Sequence, residues 1–221
     1  MPLPYTPLTC DQIQSAVDKD LTLGNFKDEL ALKDALKELT WLPAGFARIL
    51  SQTCLVDAWE VPGHQALPLE DRIRFARRVE EHGLVFADLG SLTPDQWLLD
   101  QNVMSAAIDK LAVVFPASPH TGERQLIFWT KFLHWCVSGA FPMWSPSACK
   151  ALKVEIAADS GWAMYKEWAE LVGEHVRSHM QCCLRQRQLP TETVIRTFDR
   201  AAYGIGSRPP GPPDENDPRF T

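Results

Sequence analysis

ERQLIFWTKFLHWCVSGAFPMWSPSACKAL, residues 123–152, sets Trp129, Trp135 and Trp144 around Lys131. The first half has helical periodicity. It breaks at Phe141-Pro142-Met143-Trp144 and restarts at Ser145-Pro146, where a serine oxygen can cap free N–H groups and proline pre-sets the first helical position. A lysine inside so apolar a run must reach water with its head group or lose proton affinity. A cation in such a helix–turn–helix can serve base flipping or Schiff-base chemistry, or can belong to the core. The aromatics carry the same two readings, as base-stacking walls or as core residues. His134 is read either as a substrate contact or as a packing residue.

Outward from this stretch nearly every periodic segment reads as helix. Asn25–Trp41 places Phe26, Leu30, Leu32, Leu36 and Leu39 on one side, and Leu69–Glu81 repeats the pattern with Ile73, Phe75 and Val79. Thr93-Pro94-Asp95-Gln96 predicts a capped start for a helix running to Val114. Thr121 is expected to cap a helix continuing to about Val137, and Ser145-Pro146 to open one reaching about Ile156. Gly161–Gln188 follows, with Trp162, Tyr165, Trp168, Leu171 and Val172 along one side. Thr191 starts the last helix, which stops at Gly204 or Gly206. Gly83–Leu89 is the only short strand candidate.

The fold class is therefore all-α. Residues 1–60 are expected to form an N-terminal helical segment and 61–206 the main helical body, with a loop between Leu55 and Pro68. Residues 207–221, SRPPGPPDENDPRFT, hold five prolines and no periodicity, and are expected to be a disordered tail.

Composition narrows the function. Across 221 residues, 45% are hydrophobic, yet no apolar run approaches the ~20 residues that span a bilayer. The N-terminus, MPLPYTPLTC, has neither a basic start nor an apolar core of a secretory signal. The six cysteines form no CxxC pair, so reduced thiols and a cytoplasmic address are expected. His175 and His179 are an i,i+4 pair without an HExxH or CxxC companion, so no metal is expected. No phosphate-binding glycine loop is present, and no cofactor is implied. A formal net charge of −6 does not advertise a nucleic-acid binder. Local clusters at Arg72/Arg74/Arg77/Arg78 and Arg177/His179/Arg185/Arg187 are read as solvated helix faces or as a DNA-facing surface.

The central stretch resembles the helix-hairpin-helix DNA glycosylases, and more closely bacterial proteins with an 8-oxoguanine DNA glycosylase fold. Those proteins carry a segment like SKFLHFLxPxxFPIWDSRVAKAL. This chain has Thr130-Lys131-Phe132-Leu133-His134-Trp135, then Phe141-Pro142-Met143-Trp144-Ser145, then Ala148-Cys149-Lys150-Ala151-Leu152. Ile195-Arg196-Thr197-Phe198-Asp199-Arg200-Ala201-Ala202-Tyr203-Gly204 resembles their closing R-x-x-D-x-x-L-W-x-x-G helix. The resemblance covers about residues 123–206 and is most specific over its first thirty.

It implies a glycosylase-like bundle of two helical subdomains that flips a base out of DNA and cuts its bond to the sugar. Lys131 is the position carried over as the amine nucleophile, and Asp199 is the carboxylate candidate. Trp129, His134, Trp135, Trp144 and Ser145 would contact the base, and Arg177, Arg185, Arg187 and Arg196 the backbone. Relatives carry Asp where this chain has Ser145; a hydroxyl still caps a helix but supplies no negative charge to a developing sugar cation. Repair of damaged DNA and defence against phage with modified DNA are both open. So is a non-catalytic DNA- or protein-binding module on the same scaffold. A monomer is expected.

Overall fold

The computed structural model of the protein describes residues 5–23, 25–39, 44–58, 67–115, 123–155, 161–180 and 194–206. All regular secondary structure among them is helical. The elements are α1 (Cys10–Leu23), α2 (Asn25–Glu38), α3 (Phe46–Ala58), α4 (Leu69–Glu81), α5 (Gly83–Gly90), α6 (Pro94–Leu99) and α7 (Gln101–Val114). They continue with α8 (Glu123–Phe132), α9 (Pro146–Ala151), α10 (Trp162–His175) and α11 (Val194–Gly206). The last turns of α8 and α10 widen into π-helix over Leu133–Val137 and Val176–Met180.

Local chemistry sets several boundaries. Thr93 and Gln96 close a reciprocal capping box: Gln96 N–H donates to Thr93 Oγ1 at 3.3 Å, and Thr93 N–H to Gln96 Oε1 at 3.0 Å. The helix it opens does not run unbroken to Val114. Asp100 is extended (φ −136°, ψ 109°), and its side chain accepts from Asn102 N at 2.9 Å, so it caps α7 afresh. α9 is likewise shorter than its pattern suggests, because Lys153 adopts a left-handed backbone (φ 54°) just beyond its end.

Gly83–Leu89 is helix, not strand. The residues it buries, Phe86 and Leu89, are three apart, the spacing of a helical stripe. The expected starts at Thr121 and Thr191, the end near Gln188 and the tail from Ser207 fall outside the described residues.

One buried cluster draws on both ends of the chain, from Leu8, Ile13 and Val17 through Phe75, Leu111 and Phe128 to Trp168 and Phe198. α1 packs on α11. α11 also packs on α9, and a Cβ at Gly206 would overlap the Ser147 carbonyl. Glycine is therefore required there for close approach.

α3 and α4 are tied by buried Asp57, whose carboxylate accepts from Leu67 N–H at 3.2 Å and pairs with Arg72 Nε at 2.9 Å. Cys10 is disulfide-bonded, against the expectation of reduced thiols. Cys54, Cys136 and Cys149 are free. No described helix is long and apolar enough to cross a membrane.

Candidate functional site

α8 carries Lys131 in its last turn, half-buried between buried Thr130 and Phe132. The widened turn follows, closed by Ser138 N–H donating to Leu133 O at 2.8 Å. Such π-turns insert one residue into a helix and re-aim the side chains around it, and they recur at functional sites. Here the insertion coincides with His134, which is buried, and Trp135, which is half-buried.

The connector from Phe141 to Trp144 is non-helical yet buried, so its peptide groups need partners inside the protein. Side chains from three helices and the widened turn supply them. His134 Nδ1 contacts Phe141 O at 2.8 Å; since a carbonyl only accepts, this nitrogen carries the proton. Tyr165 OH donates to Pro142 O at 2.9 Å, and Trp168 Nε1–H to Met143 O at 3.2 Å. Met143 N–H donates to Asp199 Oδ2 at 3.0 Å. Trp144 N–H donates to Thr130 Oγ1 at 3.1 Å, and the Thr130 hydroxyl donates to Ile127 O at 3.1 Å. Burial and the Asp199 charge push the Tyr165 hydroxyl well above its ordinary range, so it stays a neutral donor. Ser145 then caps α9, its Oγ accepting from Ala148 N–H at 3.0 Å.

The residues singled out in the sequence thus occupy distinct settings. Asp199 is only 3% exposed and points at the connector. His134 holds the connector's first carbonyl. Trp129 belongs to an aromatic core, with ring centroids 4.9 Å from Phe75, 3.9 Å from Phe115 and 5.1 Å from Trp162. Trp144 is buried, and its Nε1–H has no hydrogen-bond partner among the described residues.

Trp135 sits elsewhere, under two cations: Lys33 Nζ lies 5.3 Å from its ring centroid and the Arg196 guanidinium carbon 5.4 Å. The structure therefore distributes the three tryptophans over three surroundings, and Trp135 is the one that meets charge. Thr130, Tyr165 and Trp168 were not singled out as site residues in the sequence. Their bonds to the connector form only through tertiary packing.

The basic clusters are largely engaged within the molecule. Arg72 pairs with Asp57, and Arg74 Nη2 lies 3.4 Å from Asp71. Arg77 lies over the Phe46 ring at 5.8 Å, and Arg78 Nε–H donates to Val114 O at 2.8 Å. Arg177 is half-buried, and burial lowers its proton affinity against the opposing influence of Glu174 and Tyr5. Arg185 and Arg187 lie outside the described residues. Among the described residues no three His, Cys, Asp or Glu side chains gather to hold a metal. Burial pushes the Cys136 thiol up, which suits a packing residue rather than a nucleophile.

The Asp199 bond yields a direct expectation. Asp199→Ala should lower the free energy of unfolding by about 3 kcal/mol, because a charged acceptor is lost and Met143 N–H is stranded. Asp199→Asn keeps an oxygen acceptor and should cost about 1 kcal/mol. Urea unfolding of both variants measures the difference. Equal losses would show that the carboxylate charge, rather than the bond to Met143, matters here.

Comparison of the chain with protein-family models, with curated proteins and with solved structures found no match.

Proposed function

We propose that the protein is a DNA glycosylase-like enzyme that excises a damaged or modified base, with Lys131 as the amine nucleophile. The observation that carries this reading is a meeting of two distant stretches. The segments that resemble the glycosylase-fold proteins come into direct contact where Asp199 of α11 accepts from Met143 N–H at 3.0 Å. A shared scaffold would need that contact, since the connector follows the lysine-bearing helix and leads into the next.

The chemistry follows from what each side chain is able to do. A water-based route needs a carboxylate facing the sugar. Ser145 has none, and the Asp199 carboxylate is turned to the connector. An amine route needs a lysine in place of a second carboxylate, and Lys131 is half-buried beside Phe132. The Lys131 Nζ lone pair would bond to C1′ as the bond to the base nitrogen breaks. The base would leave with that bonding pair and take up a proton. Asp199 acts here as a positioning residue for the connector.

A second reading, a non-catalytic DNA-binding module on the same scaffold, is favoured by the engagement of Ser145 and Asp199 in structural bonds. Fold alone does not separate the two. The deciding incubation uses duplexes carrying a panel of damaged bases and of modified bases of the kind found in phage DNA, with abasic sites scored. Abasic product from wild type, and none from Lys131→Gln at equal DNA affinity, is the expected result. Binding without product from any duplex would assign the second reading. The duplex that is cut distinguishes a repair substrate from a defence substrate.

A further inference from the structure

We propose that Tyr5–Pro7 is an acid-released strap: it closes over His175 while that ring is neutral and opens when the ring takes up a proton. Such a device is independent of any activity on DNA. His175 ends α10 and is fully buried. Neither of its ring nitrogens has a hydrogen-bond partner among the described residues. Tyr5, His179 and Phe198 enclose it, with ring centroids 5.8, 5.2 and 5.2 Å away. A neutral imidazole is tolerated between such walls. An imidazolium carries a proton on both nitrogens, and in the closed form neither N–H meets an acceptor among these walls.

Of the three walls, the strap is the one able to move. Phe198 is fully buried on α11, which packs on α1 and α9. His179 lies in the widened turn that continues α10. Tyr5 is half-buried on a non-helical segment, and Thr6 and Pro7 beside it are exposed. Thr6 N–H donates to Leu152 O at 2.8 Å, which ties this segment to the end of α9. The far end is anchored. Leu8 is buried, and Cys10 is disulfide-bonded. Thr9 N–H donates to Gln12 Oε1 at 2.8 Å and Gln12 N–H to Thr9 Oγ1 at 3.3 Å, a reciprocal cap on α1. Opening therefore pivots at Leu8 and leaves α1 in place. Phe198 stands 5.2 Å from His175 and 6.3 Å from Trp168, so the strap covers the end of the α10 face that holds the connector.

The charges around the ring do not offset its protonation. His179, on the widened turn, opposes a second positive charge beside it. Burial, and then Glu174, raise the Tyr5 hydroxyl against the opposing influence of Arg177, so Tyr5 stays neutral in acid. On α11 the Asp199 carboxylate is turned to Met143 N–H. On α1 the Cys10 sulfur lies 3.7 Å from His179 O, and Asp11 is exposed. Burial, and then His179, lower the His175 pKa from 6.5 to about 4. The open form thus binds a proton that the closed form refuses. Closure is at full strength above about pH 6.5 and is lost as pH falls towards about 4.

The test is amide hydrogen exchange of the full chain, resolved by NMR and expressed as protection relative to the intrinsic rate at each pH. Between about pH 7.5 and about pH 5, protection of Thr6 N–H is expected to fall about thirtyfold in wild type. It should change little in His175→Phe, which keeps an aromatic ring without a titrating group. His175→Gln repeats the comparison with a neutral polar side chain, and decides it if the first variant does not fold. Low urea should leave Thr6 exchange unchanged while it speeds exchange at core positions such as Leu111, because a local opening exposes little surface. Tyr5→Ala removes the covering ring, and the His175 pKa, read from its imidazole signals, should rise towards 6.5.

No fall in wild type, or equal falls in wild type and the His175 variants, would overturn the switch. A fall at Thr6 with the urea dependence of the core amides would show that acid opens the whole chain, and would overturn the strap as a separate device. A His175 pKa unmoved by Tyr5→Ala would show that another wall shields the ring, and would overturn the assignment to Tyr5.

Discussion

Trp168→Ala is expected to lower the free energy of unfolding by about 4 kcal/mol, within the range for deleting a buried aromatic side chain. Trp168 is fully buried, stands 6.3 Å from the Phe198 ring, and donates its indole N–H to Met143 O at 3.2 Å. Two losses combine. The truncation leaves a cavity between α10 and α11, and it strips the connector of one of the bonds that fix it. Trp168→Phe separates them: it refills most of the volume and strands only the Met143 carbonyl, for a cost of about 1–2 kcal/mol. If the connector positions Lys131, both variants should also lower excision at temperatures where they remain folded. Denaturant unfolding measures the stability term, and single-turnover product formation measures the positioning term.

Acid should destabilise the protein through His175. Its ring is fully buried against Tyr5, His179 and Phe198, with centroids 5.8, 5.2 and 5.2 Å away. Neither ring nitrogen has a hydrogen-bond partner among the described residues. Burial, and then the neighbouring His179, lower its pKa from 6.5 to about 4. The unfolded chain therefore binds a proton that the folded chain refuses across that interval.

The contribution of His175 is complete above about pH 6.5. It is lost as pH falls towards about 4, by up to about 3 kcal/mol. His175→Phe removes the titrating group while keeping an aromatic ring. Its stability should fall much less steeply than wild type between about pH 6.5 and about 4. Parallel curves for the two proteins would show that His175 does not carry the acid sensitivity.

How much was legible in the sequence depended on whether a residue's partner was near it in the chain. α4 spans Leu69–Glu81 as its periodicity predicts, and Thr93 and Ser145 cap the helices they precede, because those bonds reach only three residues. The new cap at Asp100 was also local, but it was masked by continuous helical periodicity on both sides. Gly83–Leu89 misled because a short apolar run reads as strand or helix equally well until packing selects a face.

The connector was visible as a break at Phe141-Pro142, but the side chains that hold it were not. Thr130, Tyr165 and Trp168 look like ordinary helix residues, and their partners lie 14 to 25 residues away; Asp199 stood out through the resemblance, but not as the acceptor for Met143 N–H, 56 residues away. The π-turns leave no comparable signal, since one extra residue per turn barely disturbs the apolar pattern. Lys33 went unnoticed for a similar reason: it is one charge among several on α2 until the fold brings Trp135 beneath it.

Borohydride trapping tests the central claim most directly. Wild-type protein is incubated with a duplex that it cleaves, reduced with borohydride, digested and mapped by mass spectrometry. A lysine Schiff base at C1′ predicts a stable protein–DNA adduct on the peptide bearing Lys131, absent from Lys131→Gln. An adduct mapped to another residue, or excision at full rate by Lys131→Gln, would contradict the assignment of Lys131 as the nucleophile.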